Sequence, residues 1–311
     1  MPGLKMDSKK IRKTIPRFMG WLAIMVSSLI IKLIPGRWLY SFANAISAFG
    51  FTLAVKQKKL ALESLGVAFG AEKTKEEIDK IARDSFTYMV KSAFELIFMM
   101  DKPEALKKRI SLKGKEHLEA ALKAGRGVIL VSAHFGNFPL LLSRLSQEGY
   151  KVAGIMRPMR DEGVEKIFLK KREKYRVKTI YSQPRNVCVE TTIRTLRDNE
   201  IVFIPIDQNF GTGGVFVDFF GQKAATATGP IIFAQRTKAK LLPCFIVRQR
   251  DDTHKIIFEP VLELEQGKSA GETVTINIQR LTNIIEDYIR KYPAEWGWLH
   301  RRWKTKPKEG R

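Results

Sequence analysis

Four histidines occur in the chain: His117, His134, His254 and His300. His134 stands where chemistry is expected. It closely follows the run 127–132 (GVILVS), a short apolar stretch without alternation that reads as a strand buried on both faces. The carboxyl end of such a strand is where α/β folds place ligands and reactive groups. The segment 138–149 beyond it reads as a helix, whose start supplies unpaired N–H groups and the positive end of a dipole. An imidazole there can serve as a general base while nearby N–H groups hold an oxyanion. Gly136 allows another chain or a ligand to approach closely. The alternative is a histidine satisfied in a structural role.

A second strand, 201–206 (IVFIPI), ends in the same way and leads into Asp207, Gln208 and Asn209. If both strands run parallel in one sheet, His134 and Asp207 emerge on one edge, and the carboxylate can orient the imidazole and stabilise its protonated form. A helix or turn cap is the competing role for Asp207. Arg157 also lies just beyond a strand, where it would hold a phosphate or sugar phosphate, unless it is a plain surface arginine. The glycine-rich stretch 211–214 fits no phosphate-loop spacing and reads as a turn. There is no Gly-x-Ser-x-Gly and no Cys/His metal set. Cys188 and Cys244 are too few and too far apart for a disulfide framework and suit a reducing compartment.

These groups need a scaffold. Residues 74–101 have helical apolar spacing, and Thr74 with Glu77 resembles a capping box. Strands are expected at 127–132, 150–156, 179–181, 201–206, 240–248 and 255–259. Helices are expected at 138–149, 161–175, 187–197, 229–237 and 274–291. This alternation predicts an α/β fold with a layered sheet and flanking helices. The expected division is a membrane-anchoring helical segment over 1–60, a helical lead-in over 61–110 and an α/β domain over 111–311.

Of 311 residues, 55 are Lys or Arg and 32 Asp or Glu, a net charge of +23. Such an excess calls for anionic company. Lys5, Lys9, Lys10, Arg12, Lys13 and Arg17 precede an apolar run over 18–31; a second, weakly polar run covers 38–55 and ends at Lys56, Lys58 and Lys59. The first run is short for a span, and no small-x-small cleavage site marks a signal peptide. Cations before, between and after the runs favour a hairpin in one leaflet, or two interfacial helices, over a single span. Trp21 and Trp38 are candidate interfacial anchors or core. Nucleic acid is not the expected partner: no binding module is recognised and the positive charge is scattered.

The ordered set His134-Phe-Gly-Asn137, Arg157-Pro158, Asp207-Gln208, Val217-Asp-Phe-Phe-Gly221, Thr228-Gly229 and Pro293-Ala-Glu-Trp-Gly-Trp-Leu-His-Arg-Arg-Trp303 resembles the lipid A biosynthesis acyltransferase family, over nearly the whole chain. The resemblance implies a glycerol-3-phosphate-acyltransferase-like fold and a fatty acyl donor on acyl carrier protein or coenzyme A. It also implies a lipid acceptor, an anionic phospholipid membrane as partner, and work at the cytoplasmic face of a bacterial inner membrane. Apart from the thioester co-substrate, no cofactor and no metal are implied. His134 and Asp207 are the expected catalytic residues, and Gly136, Asn137, Arg157 and Gln208 the expected substrate-binding ones.

One departure stands out. The family pattern places an acid five residues after the histidine, where this chain has Pro139. Asp207 can serve instead, or another acid such as Glu95 or Asp161 can fold in, or the chain is a weak or inactive relative that binds lipid without turnover. The expected chemistry is acyl transfer to a hydroxyl of a lipid A precursor, a related glycolipid or a lysophospholipid. His134 acts as base, and N–H groups near Gly136 and Asn137, with the Asn137 side chain, hold the oxyanion. Asp207 steadies His134, and Arg157 positions an acceptor phosphate. Trp296, Trp298 and Trp303, interleaved with Arg301 and Arg302, form either a lipid-facing cluster or a packed carboxy-terminal staple.

Overall fold

The computed structural model describes residues 29, 31, 33–100, 102–159 and 161–307. The basic segment 1–17, Trp21 and most of the first apolar run lie outside the described residues.

Three helices lead: α1 (Leu39–Leu53), α2 (Val55–Phe69) and α3 (Lys75–Met99). Thr74 caps α3, accepting from the Glu77 amide at 3.3 Å while the Glu77 carboxylate accepts from the Thr74 amide at 2.8 Å. The chain then alternates through α4 (Pro103–Arg109), β1 (Ile110–Lys113), α5 (Lys115–Lys123), β2 (Val128–Ser132), α6 (Phe138–Gln147), β3 (Val152–Met156), α7 (Glu162–Lys174), β4 (Val177–Tyr181), α8 (Arg185–Arg197) and β5 (Ile201–Pro205). It closes through β6 (Val215–Phe219), β7 (Gln222–Thr226), α9 (Gly229–Thr237), β8 (Lys240–Arg248), β9 (His254–Phe258) and α10 (Ala270–Lys291).

The main sheet has the order β1-β9-β8-β2-β5-β3-β4. Strands β8, β2, β5, β3 and β4 are mutually parallel, and β9 turns back antiparallel against β8. This is the α/β layered sheet that the alternation predicts. β2 is buried at all five positions. Ile129 and Val131 enter the core on one face of the sheet, and Val128 and Leu130 the core on the other. A strand covered on both faces must be apolar throughout, which is why it shows no alternation in sequence.

The helices before residue 110 are not a separate body. Leu65 and Phe69 of α2 and Ala82 of α3 share one apolar core with Ile129 and Val131 of β2 and with Ile278, Leu281, Ile285 and Ile289 of α10. A hairpin of β6 and β7 adds a second, two-stranded sheet. Its turn residues Phe220 and Gly221 both have positive φ, 53° and 68°, as a two-residue hairpin requires.

Helix α1 buries only Leu39, Ala43 and Ser47. Phe42, Ile46, Phe49 and Leu53 are between 47 % and 69 % exposed and lie on one face at helical spacing. Among the described residues no single helix is long and apolar enough to cross a membrane. The segments Gly36–Leu53 and Val55–Phe69 together have the length and composition, but they bend by 89°.

Candidate active site

β2 and β5 are immediate neighbours and parallel, with Ser132 opposite Pro205. The Ile206 amide continues the pairing by donating to the Ser132 carbonyl at 3.1 Å. His134 and Asp207 therefore leave the same edge of the sheet side by side. The His134 Nδ1 lies 2.9 Å from Asp207 Oδ1. The carboxylate is wholly buried, whereas a third of the imidazole is exposed. The Trp296 indole N–H donates to the other carboxylate oxygen, Oδ2, at 2.8 Å.

Burial alone would lower the His134 pKa, but the charge and hydrogen bond of Asp207 outweigh it and hold the pKa above its ordinary value. Burial would raise the Asp207 pKa, yet His134, together with His300 and the Trp296 N–H, holds it far below the usual carboxylate range. Asp207 is a carboxylate throughout the physiological range. With Nδ1 taken by Asp207, the free ring nitrogen of His134 is Nε2.

His134 lines a cleft of about 730 Å³, open mouth included. Its walls come from Phe51 of α1, Ala61 of α2, Ala82, Phe86 and Met89 of α3, and Trp298 after α10. Nothing in the sequence singles out the helical ones as cleft wall, because each lies on an ordinary amphipathic helix far from His134 in the chain; Trp298 belongs to the carboxy-terminal motif. The cleft is mostly apolar, with a few polar groups such as Ser85, Ser92 and Glu295.

The loop after His134 is tightly held. Gly136 has φ +56°, and a Cβ there would lie 2.1 Å from the Ile246 carbonyl oxygen, so no larger residue fits. Its amide donates to the Glu295 carbonyl at 2.8 Å. Asn137 is 2 % exposed, and its side-chain amide donates to the Ser92 carbonyl at 3.1 Å and to Glu95 Oε2 at 3.0 Å. Both amide protons of Asn137 and the N–H of Gly136 are thus spent inside the protein. The expectation that the Asn137 side chain and the Gly136 amide hold an oxyanion needs correction: these groups fix the loop. Pro139 sits in the first turn of α6 and has no N–H, and Leu140 donates to Asn137. The amides of Asn137 and Phe138 are the donors left at this helix start.

Glu95 folds in, but not against His134. Its carboxylate is fully buried and accepts from the two terminal guanidinium nitrogens of Arg248, from Asn137, from the Tyr40 hydroxyl at 2.9 Å, and lies 3.0 Å from His254 Nε2. Burial would raise its pKa, but His254 and Arg248 bring it down to about 2. Asp161 caps α7, accepting from the Val164 amide at 3.0 Å. Of the three acids weighed for the place left by Pro139, Asp207 is the one in contact with the imidazole.

Arg157 is exposed at the end of β3. In the order β2-β5-β3 it lies two strands from His134, roughly 10 Å along the sheet edge. Gln208 is exposed beside Asp207, and its carbonyl accepts from Arg302 at 3.1 Å. Arg302 is 1 % exposed and also donates to the Ala225 carbonyl. Trp296 and Trp298 are each 1 % exposed and Trp303 8 %. The carboxy-terminal tryptophans form a packed staple rather than a lipid-facing cluster. Cys188 and Cys244 are free and buried. Among the described residues no His, Cys, Asp or Glu cluster could hold a metal ion.

A buried carboxylate holding an imidazole at the carboxyl edge of a parallel sheet, above an apolar cleft, is the geometry of an acid–histidine site. Residues 5–305 match the family model for bacterial lipid A biosynthesis acyltransferase. The chain belongs to that family.

Among curated relatives, the lipid A biosynthesis palmitoleoyltransferase and lauroyltransferase of Escherichia coli are each 24 % identical. The first alignment covers 94 % of this chain and 93 % of the relative, and the second 94 % of both. The phosphatidylinositol mannoside acyltransferase of Mycobacterium tuberculosis is 28 % identical over 64 % of this chain, and the match spans 61 % of that relative's length. The crystal structure of a 1-acyl-sn-glycerophosphate acyltransferase from Thermotoga maritima aligns with 86 % of this chain and 97 % of its own, at 11 % identity and a TM-score of 0.37.

Proposed function

We propose that this protein moves a fatty acyl chain from an acyl thioester to a hydroxyl of a lipid acceptor. The observation that carries the reading is the 2.9 Å contact between His134 and buried Asp207 at the rim of an apolar cleft. Nε2 of His134 takes the proton of the acceptor hydroxyl as its oxygen attacks the thioester carbonyl. Asp207 stabilises the imidazolium. The start of α6, through the amides of Asn137 and Phe138, faces the oxyanion. When the tetrahedral intermediate collapses, the C–S bond breaks, the thiolate leaves, and His134 returns the proton to it. An ester and a free thiol result.

The names of the relatives support a glycolipid acceptor, with a lipid A precursor first and a phosphatidylinositol mannoside-like or lysophospholipid acceptor as alternatives. The donor is acyl carrier protein or coenzyme A. Arg157 holds the acceptor phosphate in this reading, supported by its exposure on the same sheet edge, and Gln208 follows the strand that lies between. The net charge of +23 and the exposed apolar face of α1 support work at the cytoplasmic face of an anionic inner membrane.

The test is a turnover assay of purified His134→Ala with acyl thioester and acceptor. Loss of transfer by at least a hundred-fold is expected; near-normal turnover removes His134 as the base. A wild-type protein that binds acylated lipid but turns over no donor would instead be a non-catalytic relative.

A further inference from the structure

One carboxyl on the cleft wall takes no part in the proton transfers of His134. Glu295 closes the 3₁₀ turn Pro293–Glu295 and is 8 % exposed. Its carbonyl takes the Gly136 amide, and the next residue, Trp296, pairs with Phe135 in an antiparallel bridge. His134 and Glu295 thus each stand one residue before a member of that bridge, and both line the cleft. Oε1 of Glu295 accepts from the Arg248 amide at 2.8 Å. Oε2 has no hydrogen-bond partner among the described residues. It is the oxygen left to meet a molecule in the cleft.

No described cation forms a salt bridge with this carboxyl. Both terminal nitrogens of the Arg248 guanidinium go to Glu95, and one of them also to Asp252 at 3.2 Å. Lys91 is paired with Asp252, and Arg290 with Glu72 and Glu286. Lys58, the cation of the cleft wall, lies over the Phe51 ring, 5.3 Å from its centre. Tyr88 of α3 brings a phenol to the wall, and Glu95 and Asp252 add negative charge nearby. Among these neighbours the buried carboxyl keeps its proton up to about neutrality. Burial raises its pKa to about 7 against the pull of Arg248, and Glu95 and Asp252 add to the rise. With Oε1 accepting from an amide, the proton sits on Oε2. That O–H is a donor without an acceptor, a state in which buried polar groups are rarely left.

We propose that the Glu295 carboxyl, in its protonated form, donates from Oε2 to the carbonyl oxygen of the acyl thioester and holds it as it becomes an oxyanion. A carboxylic acid kept neutral by an apolar site can do this, because a fixed donor in a low-dielectric cleft stabilises developing charge without reorganising. The proton stays on Oε2 throughout, and His134 alone carries the proton of the acceptor hydroxyl. This donor joins the amides of Asn137 and Phe138 and replaces the Gly136 amide, which the Glu295 carbonyl occupies. Ionisation of Glu295 removes the donor and sets a negative charge where the oxyanion forms. The proposal rests on the acyl-transfer reading above.

The test uses the full chain and two substitutions. In Glu295→Gln the amide oxygen can take the Arg248 N–H while the NH₂ donates into the cleft at every pH. Glu295→Met keeps the length and loses both. Wild-type kcat/KM should fall as pH rises through about 7. Glu295→Gln should lose that alkaline limb and keep kcat at pH 6 within about ten-fold of wild type, whereas Glu295→Met should lose about a hundred-fold in kcat with KM for the acyl donor little changed. A wild type without the limb, a limb that survives in Glu295→Gln, equal losses in both variants, or a Glu295→Met that turns over normally overturns the proposal. Calorimetry in buffers of different ionisation heat supplies a readout without turnover. The probes are dodecanoyl pantetheine with CH₂ in place of the thioester sulfur, which keeps the carbonyl, and the dodecyl thioether, which lacks it. At pH 8 the wild type should take up more proton than Glu295→Gln on binding the ketone, and no more on binding the thioether. Binding of both probes with no such difference, or the same difference with both, overturns the role of Glu295 and leaves the acyl-transfer reading standing. Binding of neither probe overturns the two together.

Discussion

The Trp296 indole N–H donates to Asp207 Oδ2 at 2.8 Å, on the carboxylate oxygen opposite the one that meets His134. Trp296 comes from the segment after α10, and that segment also pairs with Phe135, receives the Gly136 amide and accepts from the Ser85 hydroxyl. One stretch of chain thus holds both the acid and the loop of the dyad. Trp296→Phe keeps most of the ring volume and removes the N–H. Asp207 then loses a donor that spreads its charge, and its pull on His134 grows. The acid limb of the kcat/KM pH profile should move upward and kcat should fall about ten-fold, with KM for the donor little changed. A profile identical to wild type would confine Trp296 to packing.

Asp207→Asn removes the charge that raises the His134 pKa and leaves burial, which lowers it. The acid limb of kcat/KM should shift to lower pH, because His134 becomes a weaker base that is deprotonated sooner. Turnover should drop by about 10² to 10⁴ at every pH. An unchanged rate would show that Asp207 is not the partner that stands in for an acid at Pro139.

Asn137→Ala leaves Glu95 without one of its donors and frees the loop beyond His134. About 1–3 kcal/mol of stability should be lost, read as a lower urea midpoint at constant m. Turnover should fall further than the change in folded fraction explains. Asn137→Asp should be worse than alanine, since a second carboxylate would face Glu95 at about 3 Å.

Glu295 has its carboxyl buried and accepts from the Arg248 amide at 2.8 Å. Burial raises its pKa to about 7, against the pull of nearby Arg248. A carboxyl whose folded pKa is raised binds its proton more tightly folded than unfolded. Its ionisation therefore costs stability as pH climbs from the ordinary carboxylate range through about 7. Glu295→Gln should raise Tm at pH 8 and leave it nearly unchanged at pH 4. Equal Tm shifts at both pH values would mean that folding does not change the affinity of this carboxyl for its proton.

Much of this site can be read from the sequence because the strands that carry it are buried on both faces. Runs such as 127–132 and 201–206 admit few other structures, and each hands its polar residue to the sheet edge. The α3 start is legible for a local reason, the capping box of Thr74 and Glu77. β1 is not, because its four residues bury only Ile110 fully and are ordered by pairing with β9 far along the chain. Nor is the β7 arm of the hairpin, where Gln222 and Lys223 carry no strand signal.

The part of the oxyanion assignment that used the Gly136 amide and the Asn137 side chain fails for a related reason. The spacing of Gly136 and Asn137 after His134 suggests donors facing substrate, but Glu295 and Glu95 claim those donors from distant parts of the chain. No pattern near His134 announces them. The tryptophans near the carboxyl terminus are ambiguous in sequence because a basic aromatic stretch suits either a lipid surface or a packed staple, and only burial separates the two.

The right-angle break between α1 and α2 brings the elbow of the two helices to the cleft. Phe51, Gln57 and Lys58 around that elbow are also cleft wall. A fragment trimmed to begin at residue 61 would lose that side of the cleft. On the acyl-transfer reading proposed above, that opening admits water to the donor, so hydrolysis gains at the expense of transfer.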